Sequence, residues 1–168
     1  PIDASMTFTG NLLTLLNPYG LLGGLATVAV FLLHGAAFLS LKTDGELRVK
    51  AEAVAKKLWV PAVALVVLLA VGTFFYTDMV DRHGLVPGII PLGALISLLM
   101  AGWFIQRKQT GWAFGMTGLS IVLTQVTFFI IMFPRVMISS TNEAFSLDIW
   151  NASSSPYTLK VMTIVALI

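Results

Sequence analysis

The chain has 168 residues, 57% of them hydrophobic and only 11% charged, with ten Lys and Arg against eight Asp and Glu for a formal net charge of +2. Soluble domains carry roughly a quarter of their residues charged, so these are too few to cover a water-facing surface. The basic residues are scattered without an aromatic-interleaved cluster, which argues against a nucleic-acid partner; the lack of cysteine removes disulfides and thiolate metal sites, and no signal peptide is visible.

The expected fold is all-α: an integral membrane bundle with four full transmembrane helices and the start of a fifth. No side chain between Asp3 and Lys42 carries a full charge, and the strongest apolar block runs over about 19–41. Asn17-Pro18 marks its start, because Asn17 is a capping residue and Pro18 loses a donor that would have no partner in the first turn. The stretch from Thr7 to Leu16 is expected at the outer interface or as an extension of that helix.

A second span is predicted over about 58–76, with Pro61 in its first turn and Trp59 and Tyr76 near its ends, where amphipathic rings favour the headgroup layer. A third follows over about 86–105, with Pro87 and Pro91 near its start and Trp103 near its finish. A fourth covers about 112–133 and is closed by Pro134. The fifth opens at Ser155-Pro156 and runs over 156–168, where an apolar run too short to cross a bilayer reaches Ile168. With Pro1 rather than Met at the other terminus, a fragment of a longer protein is expected.

Excess Lys and Arg mark cytoplasmic loops. Lys42, Arg48, Lys50, Lys56 and Lys57 lie between the first two spans, and Arg107 and Lys108 between the third and fourth; the opposite side has Arg82, Arg135 and Lys160. Loops 42–57 and 106–111 are therefore expected in the cytoplasm of a multi-pass protein of a bacterial cell membrane. Thr43 and Glu46 fit a capping box, and Glu46/Lys50 and Glu52/Lys56 are spaced as helix-stabilising pairs, so a short, solvated charged helix is expected on the inner surface.

Ionisable groups at membrane depth are the first candidates for chemistry. All eight carboxylates (Asp3, Asp44, Glu46, Glu52, Asp78, Asp81, Glu143 and Asp148) fall in loops or termini, which leaves no carboxylate proton relay. His34 alone lies well inside a span. It could ligate haem iron or move a proton, but the small neighbours Gly35, Ala36 and Ala37 favour a packed imidazole bonded across a helix interface. His83 is expected in a solvated turn.

Gly20/Gly24 and Gly111/Gly115 have the four-residue spacing that lets membrane helices approach closely. Phe128, Phe129 and Phe133 could touch a quinone ring or lipid, with belt or core packing the plainer role. Thr124, Gln125 and Thr127 are expected to bond neighbouring helices. No phosphate-cradling loop, metal-ligand spacing or nucleophile-base arrangement is present, so catalytic and metal residues are expected to be absent from this chain.

Two runs go further, one from Phe31 through His34 and Lys42 to Arg48, the other from Trp150 through Pro156 and Lys160 to Thr163. Both resemble the C-terminal half of subunit II of cytochrome bd quinol oxidases. The resemblance implies a nine-helix subunit of two four-helix bundles plus a peripheral helix, with these spans as the fifth to ninth. It also implies a homologous subunit I carrying haem b558, haem b595 and haem d, which oxidises quinol and reduces oxygen to water with protons from the cytoplasm, generating a membrane potential. Small accessory membrane subunits, lipid and a structural quinone of the menaquinone type are compatible with it. His34 matches the family's histidine in this helix, with no role to transfer. A secondary-transporter repeat and a pure assembly subunit are the competing expectations.

Overall fold

The computed structural model describes residues 2–5, 7–11, 13, 16–76, 88–140 and 142–167. The chain divides into two compact units, one of Leu15–Ile131 and one of Pro1–Thr14 with Met132–Ile168.

The first unit is built from α1 (Pro18–Lys42), α2 (Gly45–Tyr76), α3 (Ile89–Gln106) and α4 (Thr110–Met132). All four are long and apolar enough to cross a membrane. Asn17 caps α1 as expected, its Oδ1 accepting from the Gly20 N–H at 2.6 Å. Thr43 belongs to the end of α1 rather than to a capping box: its hydroxyl and its N–H both donate to the Leu39 carbonyl. Gly45 then turns the chain at φ +62°, a left-handed conformation that glycine adopts without steric penalty.

The charged stretch after this turn is not a separate surface helix. Residues 45–57 are the first turns of a single 32-residue helix, about 48 Å long, so the predicted 42–57 loop shrinks to Thr43 and Asp44. Pro61 sits well inside α2 rather than in its first turn, and removes one helical bond to the Lys57 carbonyl. Glu46 pairs with Lys50 at 3.6 Å as expected, whereas Glu52 takes Arg48 at 3.1 Å in place of Lys56.

The uncharged part of α2, Leu58 to Tyr76, is about 28 Å long, close to the ~30 Å of a bilayer's hydrocarbon. Trp59, Trp103 and Trp112 cluster toward the Lys/Arg-rich end of the unit, and the Arg107 guanidinium lies 4.3 Å over the Trp103 ring. That end is called the basic end below, and the other the far end.

Packing inside this unit relies on small side chains. Ala36, Ala55, Ala62, Ala101, Ala113, Ser97, Thr117 and Ser120 are buried, joined by Leu33 and Leu98, while Leu25, Phe31, Leu68, Val122 and Phe129 point outward. Water would penalise that outward surface, and hydrocarbon does not, so small residues are free to bring the backbones together.

In the second unit the described N-terminal residues do not continue α1: Ile2 bridges Phe8, and Asp3 closes a turn by accepting from the Ser5 hydroxyl and from the Ser5 and Thr7 N–H groups. Those donors, the Ser5 hydroxyl foremost, hold the Asp3 carboxyl below its ordinary pKa. Two short strands, β1 (Arg135–Met137) and β2 (Leu147–Asp148), pair antiparallel with Arg135 opposite Asp148. A 3-10 turn over Glu143–Phe145 brings Glu143 within 3.5 Å of the buried Arg135, and the Ser139 hydroxyl donates to the Ile2 carbonyl. The helix α5 (Pro156–Leu167) follows, with no residue buried.

Candidate functional site

His34 projects from α1 onto α4. Its Nδ1 lies 2.7 Å from the Thr117 hydroxyl, and its ring stacks on Phe114 at 4.5 Å between centroids. The Thr117 hydroxyl donates its one hydrogen to the Phe114 carbonyl at 2.9 Å. With that hydrogen on the Phe114 carbonyl, Nδ1 is the donor to Thr117 and Nε2 is left as an acceptor. The ring passes beside Gly118, where a Cβ would be in ordinary van der Waals contact at 3.5 Å from His34 Cε1. Phe38 closes the same seam against Phe114 at 5.6 Å.

Antiparallel pairing sets the depth of this cluster. Tyr19 meets Thr73, their hydroxyls 2.9 Å apart, and Gly23 faces Leu69; with the hairpin turning at Thr43 and Asp44, His34 comes level with the stretch from Ala53 to Leu58. That stretch includes Lys56 and Lys57. His34 therefore sits at the basic boundary of the apolar span rather than at its centre, because α2 carries its charges back alongside α1.

A second lock joins α2 to α3. The Trp59 indole N–H donates to the Leu98 carbonyl at 2.9 Å, and the ring lies against Gly102, where a Cβ would overlap it. A third joins α4 to α3 through the Ser120 hydroxyl and the Ala94 carbonyl, 2.9 Å apart and buried. Each lets a polar group find its partner across a helix interface, where leaving it alone in an apolar medium costs roughly 2–7 kcal/mol.

Toward the far end the helices leave space. A mostly apolar cavity of about 290 Å³ lies among α2, α3 and α4, lined by residues including Leu69, Phe74, Pro91, Leu95, Thr127 and Phe128. A shallower one of about 50 Å³ opens between α1 and α4 over Val66 and Leu69, with Thr27 and Gln125 on its rim.

Comparison with known proteins fits this all-helical unit to one family. The family model for cytochrome bd terminal oxidase subunit II matches residues 1–168. The chain belongs to that family. It is 40% identical over 169 aligned positions to the cytochrome bd ubiquinol oxidase subunit 2 of Bacillus subtilis (strain 168), covering 99% of this chain and 49% of that protein. It is 30% identical over 191 positions to the cytochrome bd-I ubiquinol oxidase subunit 2 of Escherichia coli (strain K12), covering 96% and 50%. A probable cytochrome oxidase subunit 2 of Haemophilus influenzae is 28% identical over 97% of the chain and 50% of its own length. The chain thus spans about half the length of the curated relatives it matches.

Haem is the group such a family implies, and His34 is the candidate ligand among the described residues of this chain. Its Nδ1 is engaged by Thr117 and one ring face is covered by Phe114, so Nε2 is the nitrogen left for a ligand role. Among the described residues no group of three His, Cys, Asp or Glu could hold a metal ion.

Several sequence expectations land elsewhere in this subunit II family member. Thr124 and Thr127 donate to the Ser120 and Leu123 carbonyls of their own helix rather than across an interface, and Gln125 makes no hydrogen bond to a described residue. Gly20 and Gly24 are exposed, and a Cβ at Gly24 or Gly115 would meet nothing within 4 Å. The close approach falls instead at Gly102 against Trp59, while a Cβ at Gly72, Gly93 or Gly118 would make ordinary van der Waals contact. Phe128 lines the larger cavity, while Phe129 and Phe133 are exposed. Asp78, Asp81, Arg82 and His83 lie outside the described residues.

Trp59, Thr117 and Ser120 are the interhelical contacts that sequence reasoning missed. A serine or threonine in an apolar helix beside a glycine, as in Thr117-Gly118, was the available signal.

Proposed function

We propose that this chain is part of the second subunit of a cytochrome bd quinol oxidase and acts there as a helical scaffold against a haem-bearing subunit I. The observation that carries the reading is the family match along the whole chain. It agrees with an interior whose polar groups are satisfied by hydrogen bonds within and between its helices. In this reading haem b558, haem b595 and haem d belong to the partner and supply the redox chemistry of quinol oxidation and O2 reduction to water. This chain's residues contribute the fixed spacing of four helices and the exclusion of water between them. The basic end, with Lys42, residues 45–57 and residues 106–111, lies on the cytoplasmic side of the bacterial cell membrane, in keeping with the excess of Lys and Arg there. The larger apolar cavity offers room for a lipid chain or for the isoprenoid part of a structural quinone.

A reduced-minus-oxidised optical spectrum of the detergent-solubilised complex tests this reading. Bands of b and d haems should co-purify with the chain, and His34→Ala should leave all of them at full intensity. Disappearance of one haem on that substitution would refute the scaffold assignment.

A further inference from the structure

The α3–α4 hairpin carries positive charge and nothing of its own to balance it. From Ile89 to Met132 the sequence has no Asp or Glu, and its only charged side chains, Arg107 and Lys108, are neighbours in the turn between the helices. Elsewhere at the basic end Arg48 and Lys50 are paired with Glu52 and Glu46, whereas Arg107 and Lys108 make no ion pair with a described residue. Lys56 adds to the same field. It stands about one helical turn beyond Trp59, as Ile105 and Gln106 of α3 do beyond Gly102, where the Trp59 ring rests.

The turn is also built for one depth and one kind of neighbour. The Arg107 guanidinium is held 4.3 Å over the Trp103 ring, and Phe104 links that ring to Trp112, with centroids 4.9 Å and 5.9 Å away. Stacking fixes the guanidinium without using its N–H donors, which stay available to an acceptor. Trp103 and Trp112 are exposed at the helix ends, as indoles in a headgroup layer are. Below Arg107 the same face of α3 continues as Trp103, Leu99 and Ile96, spaced four, four and three residues apart and all exposed. A cation fixed over an indole, with a bare hydrocarbon stripe directly beneath it, is complementary to an amphiphile with an anion above and an alkyl chain below. A nucleic acid or an acidic soluble protein matches the charges and leaves the stripe unmatched.

We propose that the α3–α4 turn is a binding site for an anionic phospholipid, its phosphodiester held by Arg107 and Lys108 and one acyl chain lying along Trp103, Leu99 and Ile96. Arg107 supplies paired N–H donors that match two phosphate oxygens, and Lys108 supplies a second positive charge. A zwitterionic lipid brings an ammonium group that offsets this attraction, so the site selects a net negative headgroup. The inference needs only the membrane setting of the four helices and is independent of which haems accompany the chain.

The test uses the complete membrane complex that contains this chain, stripped of lipid in detergent and titrated with phosphatidylglycerol, with bound lipids counted by native mass spectrometry. Phosphatidylglycerol should bind more tightly than phosphatidylcholine of the same chains, and a diazirine on its acyl chain should label peptides within Ile96–Trp103. Arg107→Gln should lower the affinity of the labelled site about fivefold, and adding Lys108→Asn, which suits the φ of +56° there, should lower it by a further factor of about five. Both residues are exposed, so the fold is retained, and Lys50→Gln at the Glu46 pair is the charge control that leaves binding unchanged. Glycerol phosphate, the headgroup without its chains, should fail to displace the lipid. Equal binding of phosphatidylcholine, displacement by glycerol phosphate, labelling confined to a partner or to other helices, an unaltered affinity in the double variant, or an equal loss in Lys50→Gln overturns the inference. The haem bands of the same preparation judge the subunit II reading separately, and their absence overturns that reading while the lipid count still decides this one.

Discussion

The two ends of the four-helix unit solve different problems with the same kind of residue. At the basic end Gly102 is filled by the Trp59 ring, and the Trp59 and His34 rings each carry a nitrogen that finds an oxygen on the next helix. At the far end a Cβ at Gly24 would meet no described residue, and a cavity of about 290 Å³ lies among α2, α3 and α4. Glycine in a membrane helix therefore has no single meaning. Opposite a large ring it makes a lock, and opposite nothing it leaves the helix surface open.

The sharpest way to break the basic end is Gly102→Val. Its side chain would occupy the volume of the Trp59 indole, and overpacking of that kind destabilises by on the order of 3 kcal/mol. A thermal or denaturant unfolding midpoint measured on the detergent-solubilised complex should fall markedly. Adding Trp59→Ala to the same protein should recover part of the loss, since the two sites touch and their effects do not add. Equal losses in single and double variants would show that the indole does not fill that site.

Thr117→Val is a smaller perturbation. Shape is preserved while the hydroxyl that accepts from His34 is removed, so about 0.6–1.7 kcal/mol should be lost, the size of an interhelical hydrogen bond in a membrane protein. Nitrogen NMR of the imidazole should report the Nδ1–H tautomer in the parent chain and a mixture in the variant. A parent already in the Nε2–H form would contradict the donor assignment built on the Phe114 carbonyl. At the far end, Leu95→Phe enlarges a side chain that borders open space, and the same unfolding assay should move by less than about 1 kcal/mol. A loss as large as that of Gly102→Val would mean the cavity wall is as tightly packed as the lock.

Much of the architecture could be read from residue order because the bilayer imposes it. Four apolar blocks of spanning length, the Asn17 cap with Pro18 in the first turn, and the end of α4 before Pro134 each follow from local chemistry and appear in the structure. The stretch after Thr43 shows where such reading stops. Charges from Asp44 to Lys57 suggest a connector lying on a surface, yet no helix-breaking residue separates Gly45 from Leu58, and the backbone continues as one helix. Charge reports the solvent around a segment, while continuity of hydrogen bonding decides where the helix begins.

The site was less legible than the fold. His34 was visible as the unusual residue of α1, but its depth depends on how α1 and α2 are staggered, which neither helix encodes alone. Trp59 looked like a headgroup anchor, and its bond to the Leu98 carbonyl arises from a residue on another helix. Spaced glycines drew attention to Gly20 and Gly24, whereas Gly102, which receives the Trp59 ring, has no glycine four residues away. Pairings of this sort are properties of two surfaces meeting.

The extra length of α2 has a consequence for seating. A rod some 48 Å long, whose bare section matches one oily layer, carries a further three turns rimmed with long flexible cations. Lysine stems reach upward or downward by several ångströms to keep their ammonium groups wet. The same bundle can therefore ride a little higher or lower in thinner or thicker membranes without reshuffling its interior, like a hull with a broad painted band at the waterline.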